Sequence, residues 1–224
     1  MEAKWNRTAV LITGAAAMIL MVTMGSRQAL GLFISPINTT TGLGITAMSL
    51  ALAVGQFMWG AVQPVAGALA DRHGPRPVLL GGIVILAIGT ALTPFMSSTF
   101  GMIVSLGLLS AIGSGAGSFA VLIGAAAQRL TTEQRGTASG VINAGGSLGQ
   151  FVFAPLSQKL IQAMGWMGAL WTLAAITLAA IPLVGMVASK RGPRPAPAKD
   201  DKGVRNAVRN AVADRSYILL NIGF

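Results

Sequence analysis

Charged residues interrupt this chain only at wide intervals, and the stretches between them are apolar. The uncharged runs cover residues 8–26, 28–70, 77–128, 136–158 and 160–189. A bilayer core about 30 Å thick takes roughly 20 mostly apolar residues of helix. Two of the runs are long enough for more than one such helix. The pattern predicts six membrane-spanning helices, at about 8–34, 46–70, from just after Pro77 to near Pro94, 100–127, from Thr131 to near Gln162, and from Trp166 to 189.

Turn chemistry divides the longer runs. Residues 35–45 gather Pro36, Asn38, three threonines, Gly42 and Gly44, which predicts an outer reversal. Ser97–Thr99 and Ala163–Gly165 predict the other two outer turns. Thr131 and Gln134 have capping-box spacing, a hydroxyl and an amide satisfying the free N–H groups of a helix start, so helix five begins there. The first apolar segment exceeds the 7–15 residues usual for a signal-peptide core and lacks a clear cleavage pattern, so it is read as helix one. Trp5 is placed to anchor its inner end, and Trp166 and Trp171 flank helix six at the outer interface.

Composition agrees with the pattern. The chain is 53% hydrophobic and 10% charged, against about 25% charged in a soluble domain. The net charge of +10 suggests nucleic acid until the basic residues are placed. Of the 16 Lys and Arg, 14 lie before Thr8, in 71–76, in 128–135 or after Ser189; only Arg27 and Lys159 fall elsewhere. Basic loops mark the cytoplasmic side, so both ends of the six-helix unit are expected there, and no nucleic-acid partner is needed.

Past the bundle (1–189), residues 190–215 form a basic, Pro-rich cytoplasmic linker. Its repeat VRNAVRNAVADR sets Val204, Val208 and Val212 on one helical face, as in an interfacial helix. Either a tethered linker or an anionic-lipid site fits it. Residues 216–224, SYILLNIGF, read as the start of a truncated seventh helix.

The junction of helices two and three reads GALADRHGPRP over 67–77. Gly67 leaves room for a neighbouring helix, Gly74 permits a tight reversal, and Asp71 can accept hydrogen bonds from a helix amino terminus. This segment resembles the signature of the major facilitator superfamily at Gly67, Asp71, Arg72, Gly74 and Arg76, with Pro77 departing from the more usual basic residue. The resemblance implies one all-α half of a twelve-helix transporter, built of 3+3 inverted repeats. It further implies a cytoplasmic gate at those five residues, a second six-helix half as partner, and a plasma-membrane location, the inner membrane in a bacterium. An internal match supports the repeat: Gly55-Gln56-Phe57 with Pro64 in helix two, and Gly149-Gln150-Phe151 with Pro155 in helix five. The glycines of helices four and five, in pairs such as Gly113/Gly117, Gly136/Gly140 and Gly145/Gly149, are expected to pack helices closely or to flex.

Arg27 is the one charge within helix one, and an ionisable group inside a membrane usually faces a partner or a water-filled cavity. The stretch MGSRQALGLFISPI around it, with AGGSLGQ in helix five, resembles the monocarboxylate-transporter-like and oxalate/formate-antiporter-like branch. There a basic residue at this place handles an anionic substrate. A guanidinium fork matches a carboxylate, so a small organic anion is the expected substrate. The alternative is snorkelling to an outer surface a turn or two away. Asn143, Ser147 and Gln150 share one face of helix five, and Gln56 and Gln63 one face of helix two. They fit either substrate contact or interhelical hydrogen bonds.

The uncharged runs that form the membrane spans contain no Asp or Glu, the one acidic residue of a stated helix being Glu133 in the first turn of helix five, so a titrating carboxylate for proton coupling is missing from the spans. With no Cys, a single His73 and no carboxylate cluster, no catalytic residue, metal site or cofactor is expected. The expected function is secondary active transport of a monocarboxylate-like anion. The alternatives are export of a drug or hydrophobic solute, or a six-helix scaffold that transports nothing.

Overall fold

The structure is a computed structural model and describes residues 5–188. The basic linker and the seventh segment expected beyond residue 189 lie outside the described residues. Every regular element among the described residues is helical. Five continuous helical stretches are long and apolar enough to cross a membrane. They are α1 (Arg7–Thr41), α2 (Ile45–His73), α3 (Pro75–Phe95), α4 (Thr99–Ala127) and a 56-residue stretch, Thr132–Val187. At 1.5 Å per residue the last would extend about 84 Å, far more than one bilayer. Gly165 breaks it with φ 74° and ψ 169°, giving α5 (132–164) and α6 (166–187). Six helices of membrane-spanning length result among the described residues.

The first outer turn is shorter than its composition predicts. Residues 34–41 stay helical because Thr39, Thr40 and Thr41 donate their hydroxyls to the carbonyls of Ser35, Pro36 and Ile37 at 2.8–2.9 Å. The threonines thus satisfy themselves inside the helix instead of breaking it. A 3-10 turn over Leu30–Phe33 lies just ahead of Pro36, whose missing N–H a regular ladder would leave unfilled. The reversal is confined to Gly42–Gly44. Gly42 is left-handed (φ 68°) and donates its N–H to the Asn38 carbonyl at 2.8 Å, while Gly44 N–H reaches the Asn38 side chain at 2.8 Å.

The capping box opens α5 as expected: Gln134 Oε1 accepts from the Thr131 N–H at 3.2 Å, and the Thr131 side chain accepts in return. In α4 the helix widens to a π-helix over Ile103–Leu109 and is interrupted at Gly117–Ser118. Trp166 Nε1 donates to Thr40 Oγ1 at 3.0 Å, tying the α5–α6 turn to the far end of α1. At the opposite end Arg129 donates to the Met186 carbonyl, which joins the α4–α5 loop to the end of α6.

Glycines set the helix crossings, and only some of the expected ones take part. A Cβ on Gly145 would lie 2.6 Å from the Ala17 carbonyl oxygen, and one on Gly149 would collide with the Met21 carbonyl, so α5 runs parallel to α1 at backbone contact. Gly113 is pressed in the same way against Gly82 and Leu86 of α3, and Gly117 against Thr23 of α1. Gly136 and Gly140 meet nothing within 4 Å, so the packing expected of that pair is absent among the described residues.

Candidate functional site

Arg27 lies 20 residues beyond the start of α1 and 14 before its end, about 30 Å and 21 Å along the axis. The extension of α1 to Thr41 therefore removes the near outer surface on which snorkelling depends. The guanidinium turns inward to the bundle. Arg27 Nη2 donates to Gln56 Oε1 of α2 at 2.5 Å, and Nη1 makes a long contact of 3.4 Å with Gln28 Oε1. Its Cζ sits 4.6 Å above the ring centre of Trp59, a cation–π distance. Gln28 Nε2 in turn reaches Gln150 Oε1 of α5 at 3.4 Å. Adjacent residues of α1 thus touch the two glutamines of the repeated Gly-Gln-Phe.

These glutamines occupy matching environments. Gly55 packs parallel to α4, its Cβ position 3.3 Å from the Gly107 carbonyl; Gly149 packs against α1. Phe57 and Phe151 both point outward, 74% and 77% exposed. Each repeat therefore buries Gly at a crossing, turns Gln to the cavity and leaves Phe outside, as inverted repeats require.

Two adjoining chambers lie among these groups. The first, about 200 Å³, is lined by Arg27, Gln28, Gln56 and Ser110 with Leu52 and Leu106. The second, about 210 Å³, is lined by Trp59, Gln63, Asn143, Ser147 and Gln150 over an apolar floor that includes Phe119. All four residues expected to meet substrate, Arg27, Gln56, Asn143 and Gln150, line this paired cavity. Asn143 stands in the second chamber, apart from Arg27. The residue sequence reasoning missed is Trp59. It follows Gln56 by three positions and precedes Gln63 by four, so the helical stripe that selects those glutamines also selects it. Gln28 and Ser110 were also missed. Leu106 and Ser110 approach the cavity at the π-helix, where Ser110 Oγ donates to the Ser105 carbonyl at 3.0 Å, a geometry no sequence spacing signals.

Among the described residues the guanidinium has no acidic counter-ion in reach of the site. The chain's acidic residues are Glu2, Asp71, Glu133, Asp200, Asp201 and Asp214, none of them in a stretch between Thr8 and Ala70 or between Pro77 and Thr132. A glutamine carbonyl and an aromatic face solvate the charge without cancelling it. Among the described residues no group of His, Cys, Asp and Glu could hold a metal ion.

The 67–77 segment lies at the end of the bundle away from Thr40. Asp71 and Arg72 are exposed on the last turn of α2, Pro75 is buried at the start of α3, and Arg76 is half-buried. Gly74 joins the helices with φ 89° and ψ 155°, the conformation its role requires. Two of the contacts that Asp71 and Gly67 could make are not made within the described bundle. No side chain caps the amino end of α3, so Asp71 does not serve that terminus. A Cβ on Gly67 meets nothing within 4 Å, so no helix of the described bundle approaches it. Among the described residues the surface around both is open.

A six-helix membrane bundle with paired repeats and a basic cavity is the architecture of one half of a secondary transporter. The chain belongs to the Major Facilitator Superfamily, whose pattern matches residues 16–222. Monocarboxylate transporter 13 of Rattus norvegicus is 37% identical over 131 residues, 58% of this chain and 29% of that protein. The oxalate:formate antiporter of Oxalobacter formigenes is 28% identical over 151 residues, 67% of this chain and 35% of that protein. The chain thus spans about a third of the length of these curated relatives. The crystal structure of the POT family transporter PepTSo superposes with a TM-score of 0.69 at 19% identity, covering 95% of this chain and 43% of that one. That likeness concerns the fold.

Proposed function

We propose that the protein carries a small organic anion across the membrane by alternating access, with Arg27 holding the carboxylate. The observation that carries this reading is a guanidinium within an apolar helix, held by Gln56 and Trp59, that borders a cavity and has no carboxylate partner among the described residues. An uncompensated charge inside a bilayer is costly, and a bound anion offsets that cost. A monocarboxylate transporter and an oxalate:formate antiporter among the relatives suit the same substrate class. A second six-helix half closes the cavity, and the Asp71 end, with the amino terminus, faces the cytoplasm, of a bacterial inner membrane where the host is bacterial. Gly67, Asp71, Arg72, Gly74 and Arg76 form the gate at that end.

The test is uptake of a labelled monocarboxylate by vesicles carrying the full-length protein. Arg27→Ala abolishes uptake while membrane insertion is unchanged. Unaltered uptake would remove Arg27 from the site, and competition by neutral amphiphiles and not by acids would instead indicate export of hydrophobic solutes. These 224 residues contain no cysteine, so orientation is read from His73→Cys in full-length protein whose other cysteines, where the second half has any, are replaced; a membrane-impermeant maleimide added outside intact cells should fail to label it.

A further inference from the structure

Arg27 and Trp59 form the partition of the cavity. Arg27 lines the first chamber and Trp59 the second, and the stacked pair stands between them. Neither chamber, at about 200 and 210 Å³, reaches the roughly 300–1,000 Å³ of a pocket that encloses a drug-sized ligand. They follow one another along the bundle. Leu20 and Met24 of α1, and Trp59 and Gln63 of α2, lie one to two turns from Arg27 and Gln56 on the side of Asp71.

The chambers differ in chemistry. The first contains the guanidinium. The second has no charged lining residue: its wall is Leu20, Met24 and Phe119, and its polar groups are the neutral side chains of Asn143, Ser147, Gln63 and Gln150. A second carboxylate placed there gains no cation from the described lining residues. A neutral hydroxyl or amide finds both donors and acceptors on Asn143 and Ser147.

We infer that the cavity takes an elongated monoanion, with its carboxylate on Arg27, an apolar middle lying past Trp59, and a neutral hydrogen-bonding group at the far end against Asn143 and Ser147. Trp59 is the specificity-determining residue that sets how long and how wide this ligand is. The inference rests on the reading of Arg27 as the anion site and adds the second chamber to it.

The test measures ligand-induced shifts in unfolding temperature, and hence affinities, for the detergent-solubilised full-length protein with propionate, hexanoate, ω-hydroxyhexanoate and adipate. ω-Hydroxyhexanoate binds about tenfold more tightly than propionate, and adipate binds more weakly than ω-hydroxyhexanoate. Asn143→Ala weakens ω-hydroxyhexanoate by about five- to tenfold more than propionate, the loss of one neutral hydrogen bond. Ser147→Ala, a smaller change, repeats that comparison should the first variant insert poorly. Trp59→Ala merges the chambers and admits phenylpropionate, whereas Trp59→Phe keeps the ring and the length preference. The indole N–H of Trp59 is buried without an acceptor among the described residues, so losing it in the Phe variant removes no bond. A merely structural role for Trp59 would shift all ligands alike in both variants.

Equal affinities for propionate and ω-hydroxyhexanoate, or adipate as the tightest ligand, would overturn the inference. So would an Asn143→Ala effect that is the same for long and short acids. In each of those results, acid binding that still depends on Arg27 leaves the anion site standing. Acid binding that is indifferent to Arg27→Ala would remove both.

Discussion

Gly149 is set against the backbone carbonyl of Met21 where α5 lies alongside α1, with no space for a Cβ between them. The apolar helix faces alone do not hold two helices together in lipid, because lipid tails are equally apolar. Close backbone contact supplies the packing instead. Gly149→Ala must push the helices apart, at a cost of about 1–3 kcal/mol for an overpacked site. Gly140, one face away, has open space around it. Gly140→Ala is therefore neutral, or stabilising by up to about 1 kcal/mol through helix propensity. Thermal unfolding in detergent compares them, and equal effects would show that the α1–α5 contact is not made through Gly149.

This pair also marks how far the sequence carries. A small-xxx-small spacing is the same in Gly136/Gly140 and Gly145/Gly149, and which pair meets a neighbour depends on how α5 is rotated, a tertiary fact. The six crossings were legible because charge and apolar length are local properties, as was the capping box at Thr131. The end of α1 was not, since threonine hydroxyls that bond back to their own helix look in sequence like a turn. That error had a consequence at the site: it placed Arg27 near the surface, where the structure sets it about 21 Å of helix away. Gln56, Asn143 and Gln150 were legible as polar residues on apolar helices. Their division into two chambers was not, because it depends on where the rings of Trp59 and Phe119 come to rest.

Gly74 and Gly67 separate folding from gating. With φ 89° and ψ 155°, Gly74 occupies backbone space that side chains avoid, and strain there costs about 1–3 kcal/mol. Gly74→Ala should lower the unfolding temperature and the amount of protein reaching the membrane. Gly67→Ala fills open space and should leave the unfolding temperature of the bundle unchanged. Its effect on uptake then reports a surface used outside the described bundle: a severalfold loss with normal stability supports the gate, and normal uptake counts against Gly67 having a part in it.

Gln56 offers the sharpest test of what Arg27 is for. Its amide oxygen accepts from Arg27 Nη2 at 2.5 Å, so it fixes the guanidinium while leaving the positive charge in place. Gln56→Leu removes that acceptor, and Arg27 keeps only the Trp59 ring and the long contact with Gln28. A looser guanidinium should raise the KM for a carboxylate substrate severalfold. Gln56→Glu puts a carboxylate where the amide oxygen stands, nearly without change of shape. The new ion pair satisfies Arg27 from within the protein, and a substrate must then displace a charged hydrogen-bond partner worth about 1.5–3 kcal/mol, roughly 10- to 100-fold in affinity. For an anion carrier, Glu at this position is therefore more damaging than Leu. For a carrier of neutral amphiphiles the order reverses, because neutralising Arg27 lowers the charge that an uncharged ligand must lie against. Uptake or binding measured for the two variants side by side decides between these orders, with protein levels in the membrane as the control.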